Sequence, residues 1–377
     1  MSLRVAMYTT VRERCGIADY SAALIGALRE HVDLDTVVLR PNRLNPLALA
    51  ADARRLGAAD VAHVQHTYSF FGVDQLTYTL AWRLLRAAIR APLVVTAHTV
   101  RPPGPARYDG GLGSALANAV GAPAWHDVET FRRADLVIVH CRLHRERLLA
   151  RGVAPERCRV VAPGVPPAVA VSPQARTAFR ARHGLGDRPV LGVVGFLERS
   201  KAFFPVLEAL TALGAGSEGP VLLLAGGPRL AEHEPLVAEI RAAATAAGLE
   251  RRVFITGYLP SEEVPVALEA MDVVVVPYAT DASVSYSLHV ALAQGRPVVA
   301  TDLDPLREIH ERGRCLALVR PDDPHELAKT LRGLLDDVEA RRRLSEAARA
   351  YARVASTAAA AARTVDAYRA ARELGRG

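Results

Sequence analysis

Twelve short runs of β-branched and aliphatic residues alternate with stretches of helical pattern along all 377 residues of the chain. Most of the runs are nearly continuous apolar segments, as in parallel strands that are buried on both faces. The alternation predicts two α/β units, each with a six-stranded parallel sheet. The runs begin at residues 4, 36, 61, 93, 136 and 159 in the first half, and at 190, 221, 253, 273, 297 and 316 in the second.

A polar, proline-rich segment, 163–189, separates the two sets of strands and predicts an inter-domain linker that carries one short helix. We therefore place the first domain at residues 1–168 and the second at 169–354. Residues from about Pro324 onward have a helical pattern. The final alanine-rich stretch, 355–377, is long enough for a helix that packs back on the first domain.

Composition narrows the range of partners. The net charge of +7 favours an anionic partner, which leaves nucleic acid, an anionic membrane or a phosphorylated small molecule. Only 5% of the residues are aromatic and the arginines are dispersed, so we expect no nucleic-acid partner. Four cysteines without CxxC spacing and the lack of a long apolar segment predict a cytoplasmic protein. A peripheral position on the inner face of the membrane stays open, as does the oligomeric state.

Lys201 is one of only two lysines among 47 basic residues, and it follows a hydrophobic strand and Gly195 in GVVGFLERSK. Ligands bind beyond the carboxyl ends of the strands in open parallel sheets. An ammonium is a compact charge that a phosphate can approach closely. We therefore predict that Lys201 contacts a phosphate, with Arg199 as a second cation.

Three alternating serines, Ser283, Ser285 and Ser287, follow a second-half strand and precede a helix. The free N–H groups of a helix N-terminus bind phosphate, and serine hydroxyls add donors. Serine is also a favoured N-cap, so simple capping is the alternative. His98 closes the fourth strand, where a neutral imidazole can bond a sugar hydroxyl or have a structural role.

His63 and His66 are three positions apart on a strand, so their side chains point to opposite faces. With no acidic DxD motif either, no metal site is expected. We interpret His63 as structural and predict that His66, at the strand end, lines a ligand site with Tyr68. Gly16 follows the first strand and allows a backbone to approach a ligand closely.

In this order and spacing, the segments CGIADYS, DVAHVQHTYSFFG, VVTAHT, GFLERSK and HVALAQGRPVVATD resemble those of the retaining GT-B glycosyltransferases, over essentially the whole chain. The resemblance implies two facing Rossmann-like domains with a cleft between them. It implies an acceptor site in the first domain and a nucleotide-sugar site in the second. The implied reaction transfers a sugar from a nucleoside diphosphate sugar to a hydroxyl acceptor, with retention of the anomeric configuration. The donor is a co-substrate, and neither cofactor nor metal is implied.

The resemblance also implies residue roles. His98 would lie beside the reacting sugar, Lys201 would hold the diphosphate, and Asp281 would take a sugar hydroxyl. Glu308 would reach the ribose, and Gly16, His66 and Tyr68 would contact the acceptor. The other donor contacts would come from Arg199, Gly195, the backbone at Gly257 and Leu259, and Ser283, Ser285 and Ser287.

The chain departs from the family pattern at two glutamates, which are replaced by Ala282 and Val290. Two alternatives therefore stay open. One is a catalytically degenerate GT-B protein that binds a nucleotide sugar or a partner without turnover. The other is a GT-B enzyme of different chemistry, such as a nucleotide-sugar epimerase or a phosphorylase.

The donor base, the sugar and the acceptor stay open as well. The acceptor could be an antibiotic, a cyclitol, a polysaccharide or a lipid. The segment 77–91 is the nearest candidate for a membrane-facing helix, although a helix packed on the sheet has the same pattern. The glycine- and proline-rich segment 101–120 is a candidate cover for the acceptor.

Overall fold

The structure is a computed structural model, and the chain divides into two compact units. The first unit contains Met1–Gly164, Ala282–Val284 and Thr357–Gly377, and the second contains Val165–Asp281 and Ser285–Ser356. The structure describes residues 2–11, 15–41, 45–71, 75–102, 116, 119, 130–214, 219–229 and 233–375.

The described part of the first unit contains six strands and the helices between them. The strands are β1 (Arg4–Thr9), β2 (Asp33–Val38), β3 (Val61–His66), β4 (Leu93–Ala97), β5 (Leu136–Val139) and β6 (Cys158–Val160). The helices are α1 (Gly16–Leu28), α2 (Pro46–Gly57), α3 (Gln75–Ala88), α4 (Arg142–Ala150) and the 3₁₀ turns Tyr68–Phe70 and Pro155–Arg157, with the C-terminal helix given below.

The second unit repeats this plan. Its strands are β7 (Val190–Val194), β8 (Val221–Ala225), β9 (Val253–Ile255), β10 (Val273–Val276), β11 (Val298–Thr301) and β12 (Ala317–Val319). Its helices are α5 (Pro173–Arg182), α6 (Phe203–Ala212), α7 (Glu234–Ala246), α8 (Val264–Glu269), α9 (Tyr286–Ala293), α10 (Asp304–Gly313), α11 (Pro324–Asp336) and α12 (Val338–Val354). The chain then returns to the first unit as α13 (Thr357–Leu374).

Both sheets are parallel and contain the predicted strands. The first sheet has the order β2-β1-β3-β4-β5-β6, and the second has the order β12-β11-β10-β7-β8-β9. The strand order therefore reverses between β1 and β3 in the first sheet and between β7 and β10 in the second. In doubly wound sheets, ligands bind at this reversal, outside the carboxyl ends of the strands. The topology thus selects the residues after β1, β3, β7 and β10 as candidates.

Burial explains why the strands read as apolar runs. Every residue of β3, β4, β5, β7, β8, β10 and β11 is buried, because helices cover both faces of each sheet. Fully burying one Val, Leu, Ile or Phe side chain contributes about 1.5–3 kcal/mol to stability. A continuous apolar run therefore strongly favours a strand that is covered on both faces. The four cysteines are free and buried.

The proline-rich segment between the units contains one short helix, α5, as predicted. Ser172 caps it by accepting a hydrogen bond from the Ala175 amide at 3.1 Å. Arg176 and Arg180 on this helix donate to the carbonyl oxygens of Glu269 and Ala270, at 2.9 and 2.8 Å. The helix is therefore a packed part of the second unit.

The alanine-rich C-terminal helix α13 lies in the first unit, and its Tyr368 is fully buried. Its small side chains allow close packing, and Ala360, Ala361, Ala367 and Ala371 are all buried. None of the described helices has the length and apolar composition needed to cross a membrane.

Candidate functional site

In the second unit, glycines bring three strand ends together. Gly195 follows β7 with a φ of 97°, and Gly257 follows β9 with a φ of 75°, a region that favours glycine. Between them, a Cβ on Gly226 would lie 2.2 Å from the Gly195 carbonyl oxygen, so only glycine fits there. Thr256 links the turns that follow β8 and β9, because its Oγ1 accepts from the Gly226 amide at 3.0 Å and donates to the Gly257 carbonyl oxygen at 2.7 Å.

Lys201 is buried at this edge, with 7% of its surface exposed. Its Nζ donates to the carbonyl oxygens of Val194 at 3.1 Å and Phe196 at 2.7 Å. An ammonium has three donors, so one N–H remains beyond these two bonds. Burial lowers the pKa of Lys201 from 10.5 to about 8, while the Glu198 carboxylate acts in the opposite direction. Lys201 is therefore a poorly solvated cation held at the strand-order reversal.

The N-terminus of α9 approaches this cation. Ser285 is the N-cap, and its Oγ accepts from the Leu288 amide at 3.1 Å and from the Tyr278 hydroxyl at 3.0 Å. Tyr278 follows β10 and forms an antiparallel bridge with Lys201. A Cβ on Gly195 would lie 2.6 Å from Ser287 Oγ and 3.2 Å from Lys201 Nζ, so the serine hydroxyl and the ammonium flank the same glycine.

Lys201, Tyr278, Ser285 and Ser287 line one small cavity. An ammonium, two hydroxyls and a helix N-terminus all favour negative charge. The structure therefore brings together the predicted residues Lys201, Ser285, Ser287 and Gly195 as a candidate anion site. The capping alternative for Ser285 is also confirmed, and the two roles coexist because the cap points the helix N–H groups toward the site.

Replacing Gly195 with alanine tests this close approach. The positive φ and the short distance to Ser287 Oγ force a shift, so we expect a loss of about 1–3 kcal/mol in the free energy of unfolding. Thermal or urea denaturation measures it. Gly333→Ala is the matched control in the same unit, because an added Cβ meets nothing within 4 Å there. Equal losses in the two variants would contradict the crowding at Gly195.

Other predicted donor residues lie elsewhere. Arg199 is exposed and donates to Glu239 Oε1 at 2.6 Å. Ser283 belongs to the first unit, where it forms a bridge with Thr99. As donor contacts, both residues stay predictions.

Glu308 is buried on α10 and forms an ion pair with Arg312 one turn later. A ribose contact by Glu308 would have to compete with this ion pair. Asp281 and Leu259 are half-buried, and Gly257 forms the turn described above. The roles of these three residues stay predictions.

In the first unit, His98 follows β4 and is 9% exposed. Its Nε2 lies 2.7 Å from Gln65 Oε1, and its Nδ1 lies 3.2 Å from His140 Nε2. The Tyr20 ring packs edge-on against His98, with the centroids 5.0 Å apart. Burial, assisted by the neighbouring His140, holds the pKa of His98 well below 6.5. His98 is therefore a neutral imidazole in a defined hydrogen-bonding environment.

His66 is fully buried, which corrects the prediction that it lines an accessible acceptor site. Its Nε2 lies 2.8 Å from the Tyr78 hydroxyl, and burial lowers its pKa to about 3. The rings of Tyr68, Phe71, Tyr78, Trp82 and Phe131 surround it. An imidazole enclosed in this way stabilises the core.

The remaining predictions for the first unit concern four features. Tyr68 is half-buried, and the Arg101 guanidinium lies 4.0 Å from its ring centroid. Gly16 begins α1, and a Cβ there would meet nothing within 4 Å, so the space beside it is open. The helix in segment 77–91 packs on the sheet through Trp82 and Leu85, as in the packed-helix alternative. Most of segment 101–120 lies outside the described residues.

The sequence predictions missed Tyr278, Gln65 and His140. All three are polar residues in or directly after an apolar strand, and Gln65 and His140 are buried. Buried polar groups require hydrogen-bond partners, so their position in otherwise apolar runs is a signal that sequence reasoning can use. Within the described residues, no group of three His, Cys, Asp or Glu side chains could hold a metal ion.

Two protein-family models match the chain. Residues 188–337 match the family described as glycosyl transferases group 1, and residues 17–169 match the family described as Glycosyltransferase Family 4. Together the matches include every strand given above except β1.

Among curated relatives, the chain is 32% identical over 162 residues to the 2-deoxystreptamine glucosyltransferase of Streptomyces kanamyceticus. That match covers 42% of this chain and 40% of the relative. A longer match, 29% identical over 333 residues, is to the D-inositol 3-phosphate glycosyltransferase of Nocardioides sp., with 85% of this chain and 70% of the relative covered. The chain thus spans only two-fifths of the first relative.

Solved structures share the fold. HepE from Anabaena, in complex with UDP and glucose, has a TM-score of 0.74 at 18% identity and covers 97% of this chain and 98% of that chain. Sucrose-phosphate synthase from Thermosynechococcus elongatus has a TM-score of 0.72 at 20% identity, with the same coverage of both chains. The two α/β units therefore have the GT-B fold that the sequence resemblance implied.

Proposed function

We propose that this chain is a glycosyltransferase and that it transfers a sugar from a nucleoside diphosphate sugar to a hydroxyl acceptor; the matches of its two halves to glycosyltransferase families support this. Retention of the anomeric configuration is part of the proposal. The observation that carries it is the buried Lys201 ammonium beside Ser287 and the N-terminus of α9. That HepE was solved in complexes with UDP and with UDP-glucose supports a nucleotide donor.

The proposed chemistry depends on charge. When the sugar leaves, negative charge accumulates on the diphosphate. The remaining N–H of Lys201, the Ser287 hydroxyl and the free amides at the start of α9 can bind its oxygens. These groups are already oriented, because Lys201 is held by two carbonyl oxygens and Ser285 caps the helix. Stabilisation of the leaving group by oriented donors in a poorly hydrated site is a large contribution to catalysis.

The acceptor we propose to test first is a cyclitol. The two relatives described above carry the names of 2-deoxystreptamine and D-inositol 3-phosphate, which are both polyhydroxylated six-membered carbocycles. His98 is the acceptor-domain residue that fits the chemistry best, because its neutral imidazole can bond a hydroxyl without adding charge.

A transfer assay tests the proposal. UDP-, GDP-, ADP- and dTDP-linked sugars are each incubated with inositol, inositol phosphate and 2-deoxystreptamine, and products are detected by mass spectrometry. We expect a glycosylated product with at least one pair, and NMR of that product gives its anomeric configuration. Inversion would refute the retaining mechanism alone. Neither transfer nor nucleotide binding with any donor would refute the whole proposal.

The pKa of Lys201 predicts how nucleotide binding depends on pH. Below a pH of about 8 the side chain is an ammonium, and above it the charge is lost. We expect the affinity for UDP to fall as pH rises from about 7 to about 9.5, because a neutral amine attracts phosphate weakly. Calorimetry across this range measures the change. The Lys201→Met variant lacks the titrating group, so an equal fall in that variant would contradict the assignment.

Folding stability should change in the opposite direction. The pKa of Lys201 is 10.5 in its usual state and about 8 when buried, so between these values the unfolded chain binds the extra proton. Stability therefore rises with pH across that interval. Weaker binding together with a more stable protein distinguishes this titration from alkaline unfolding.

A binding protein without turnover is the second candidate. Ala282 and Val290 stand where the resembled family has glutamates, so two carboxylates for the sugar and ribose are absent from those positions. Calorimetry with UDP and UDP-glucose, performed beside the transfer assay, separates the candidates. Tight binding without transfer or hydrolysis would favour the binding protein.

A further inference from the structure

A continuous chain of buried hydrogen bonds runs through the first unit and includes His98. It begins at the Val161 carbonyl and passes through His140, His98 and Gln65 to His63. It ends at the hydroxyl of Tyr368 on α13, which lies 2.7 Å from His63 Nδ1. All four linking side chains are buried, so water does not replace these bonds. The proposed transfer reaction uses only one of them, His98.

The hydrogen bond to the Val161 carbonyl fixes the proton positions along this series of buried side chains. A carbonyl oxygen only accepts, so His140 Nδ1, 2.9 Å from the Val161 oxygen, carries a proton. A neutral His140 then accepts at Nε2. His98 Nδ1 lies 3.2 Å from that nitrogen and must therefore donate to it. A neutral His98 consequently has a bare Nε2, which can only accept.

Gln65 must supply the donor for that nitrogen. As placed, Gln65 Oε1 lies 2.7 Å from His98 Nε2, and two acceptors cannot bond each other. Rotating the amide by 180° exchanges its oxygen and nitrogen, which have nearly the same shape. The N–H then donates to His98 Nε2. The rotation gives up only the long contact between the Gln65 nitrogen and Met7 Sδ, at 3.7 Å.

The rotated amide also satisfies the other half of the chain. Its oxygen now faces His63 Nε2, which lay 3.3 Å from the amide nitrogen. His63 Nε2 then donates to that oxygen and to Thr96 Oγ1, 2.7 Å away. His63 Nδ1 accepts from the Tyr368 hydroxyl. Every histidine is neutral, which agrees with burial lowering the pKa of His63 to about 3.

The unrotated amide would require an extra proton on the His98–His140 pair. His98 Nε2 would then carry the proton and donate to Gln65, which leaves a neutral His98 with a bare Nδ1. That nitrogen faces His140 Nε2, which would have to donate to it. Because His140 Nδ1 already carries a proton, a second proton on His140 would make it a cation. No carboxylate is among the buried residues that the structure describes in the first unit, and burial holds the pKa of His98 well below 6.5. Burying a charge costs several kcal/mol or more, so the neutral arrangement is favoured.

We propose that His140 and Gln65 are positioning residues that hold His98 as the neutral tautomer protonated on Nδ1, with the Gln65 amide N–H bonded to His98 Nε2. The next step rests on the proposed function: in this tautomer, His98 accepts a hydrogen bond from the sugar hydroxyl. A hydroxyl that reaches Nε2 donates to it and takes the place of the Gln65 N–H. His98 cannot donate a hydrogen bond or a proton from Nε2 in this state.

NMR of histidine-labelled, full-length protein tests the proposal without any substrate. Long-range ¹H–¹⁵N correlations distinguish a protonated from a bare ring nitrogen, and the His98→Gln variant assigns the His98 signals. At about pH 7 we expect His98 to show a protonated Nδ1 and a bare Nε2. A proton on Nε2, or on both nitrogens, would overturn the proposal. Because no sugar is present, this result does not depend on whether the chain transfers one.

Two variants identify the contribution of Gln65. In Gln65→Glu an ionised side chain can only accept, so we expect His98 to become protonated on both nitrogens at the same pH. A carboxyl that is itself protonated would instead donate to Nε2 and leave the tautomer unchanged, and the ¹³C shift of the introduced carboxyl distinguishes the two cases. In Gln65→Met, which has a similar size, His140 still fixes the proton on Nδ1, and only the Nε2 shift should change. An unchanged His98 beside an ionised carboxyl in Gln65→Glu would refute the contact with Gln65. If either variant fails to fold, the wild-type spectrum still decides the tautomer.

Tyr368→Phe is the matched control at the distant end of the chain of bonds. It removes the donor to His63 Nδ1 and leaves the anchor at Val161 intact. We expect the His63 signals to shift and the His98 tautomer to stay the same. A change of tautomer at His98 in this variant would mean that α13, and not the Val161 carbonyl, sets the proton positions.

Discussion

Replacing Lys201 with methionine is expected to lower kcat/KM for sugar transfer by about 10²–10³. Methionine keeps the length and burial of the side chain but removes the charge that faces the proposed diphosphate. The Val194 and Phe196 carbonyl oxygens lose a donor, while the fold no longer has to bury an ammonium. The loss should therefore appear in kinetics and UDP affinity, and the melting temperature should change little.

The chain offers a matched control for this substitution, because its other lysine, Lys329, is exposed on α11. Lys329→Met removes the same charge at a distance from the strand ends and should leave kinetics unchanged. If both variants kept the activity of the unsubstituted protein, the diphosphate assignment for Lys201 would be refuted. If both lost activity equally, the assignment would also fail, and net charge would be the cause.

Replacing Tyr368 with alanine is expected to reduce the free energy of unfolding of the first unit by about 3–5 kcal/mol. The ring is fully buried on α13, and its hydroxyl bonds His63 Nδ1. Tyr368→Phe keeps the ring and should cost about 1–3 kcal/mol, because a buried acceptor is then left without a donor. Hydrogen exchange of the β3 and β4 amides measures the stability of this unit directly.

Arg369 is the control for Tyr368, because it is the next residue on the same helix and its side chain is 68% exposed. Arg369→Ala removes only a surface ion pair with Asp366, so we expect a change within about 0.5 kcal/mol. If both alanine variants changed exchange rates equally, the effect would come from helix propensity and not from burial.

The strand pattern carried most of the information about the fold. Runs such as VLGVVGF and VLLLAGG are apolar throughout because both faces of their strands are buried, and this property is visible in a single sequence. The start of α9 was visible for a different reason, since Ser285 is a favoured N-cap whose hydroxyl accepts a backbone bond. Burial and local chemistry therefore sufficed to predict these elements.

The candidate site was predictable where residues lie in the segments that follow strands. Lys201, Gly195 and Ser287 come together because parallel strands place their carboxyl ends along one edge. Sequence proximity to Lys201 did not show where the Arg199 side chain lies, because its ion pair is with Glu239 on α7. The burial of His66 could not be predicted from its place at the end of a strand, because aromatic rings from distant segments cover that strand end.

The return of α13 to the first unit has a consequence for biosynthesis. His63 and its partner Tyr368 are 305 positions apart in sequence. A ribosome releases the amino-terminal sheet long before it makes the helix that shields that sheet. The second unit, whose described strands are contiguous in sequence, can complete its core first. During that interval the nascent amino-terminal half would expose apolar surface, so it is the part of the chain that we expect chaperones to engage.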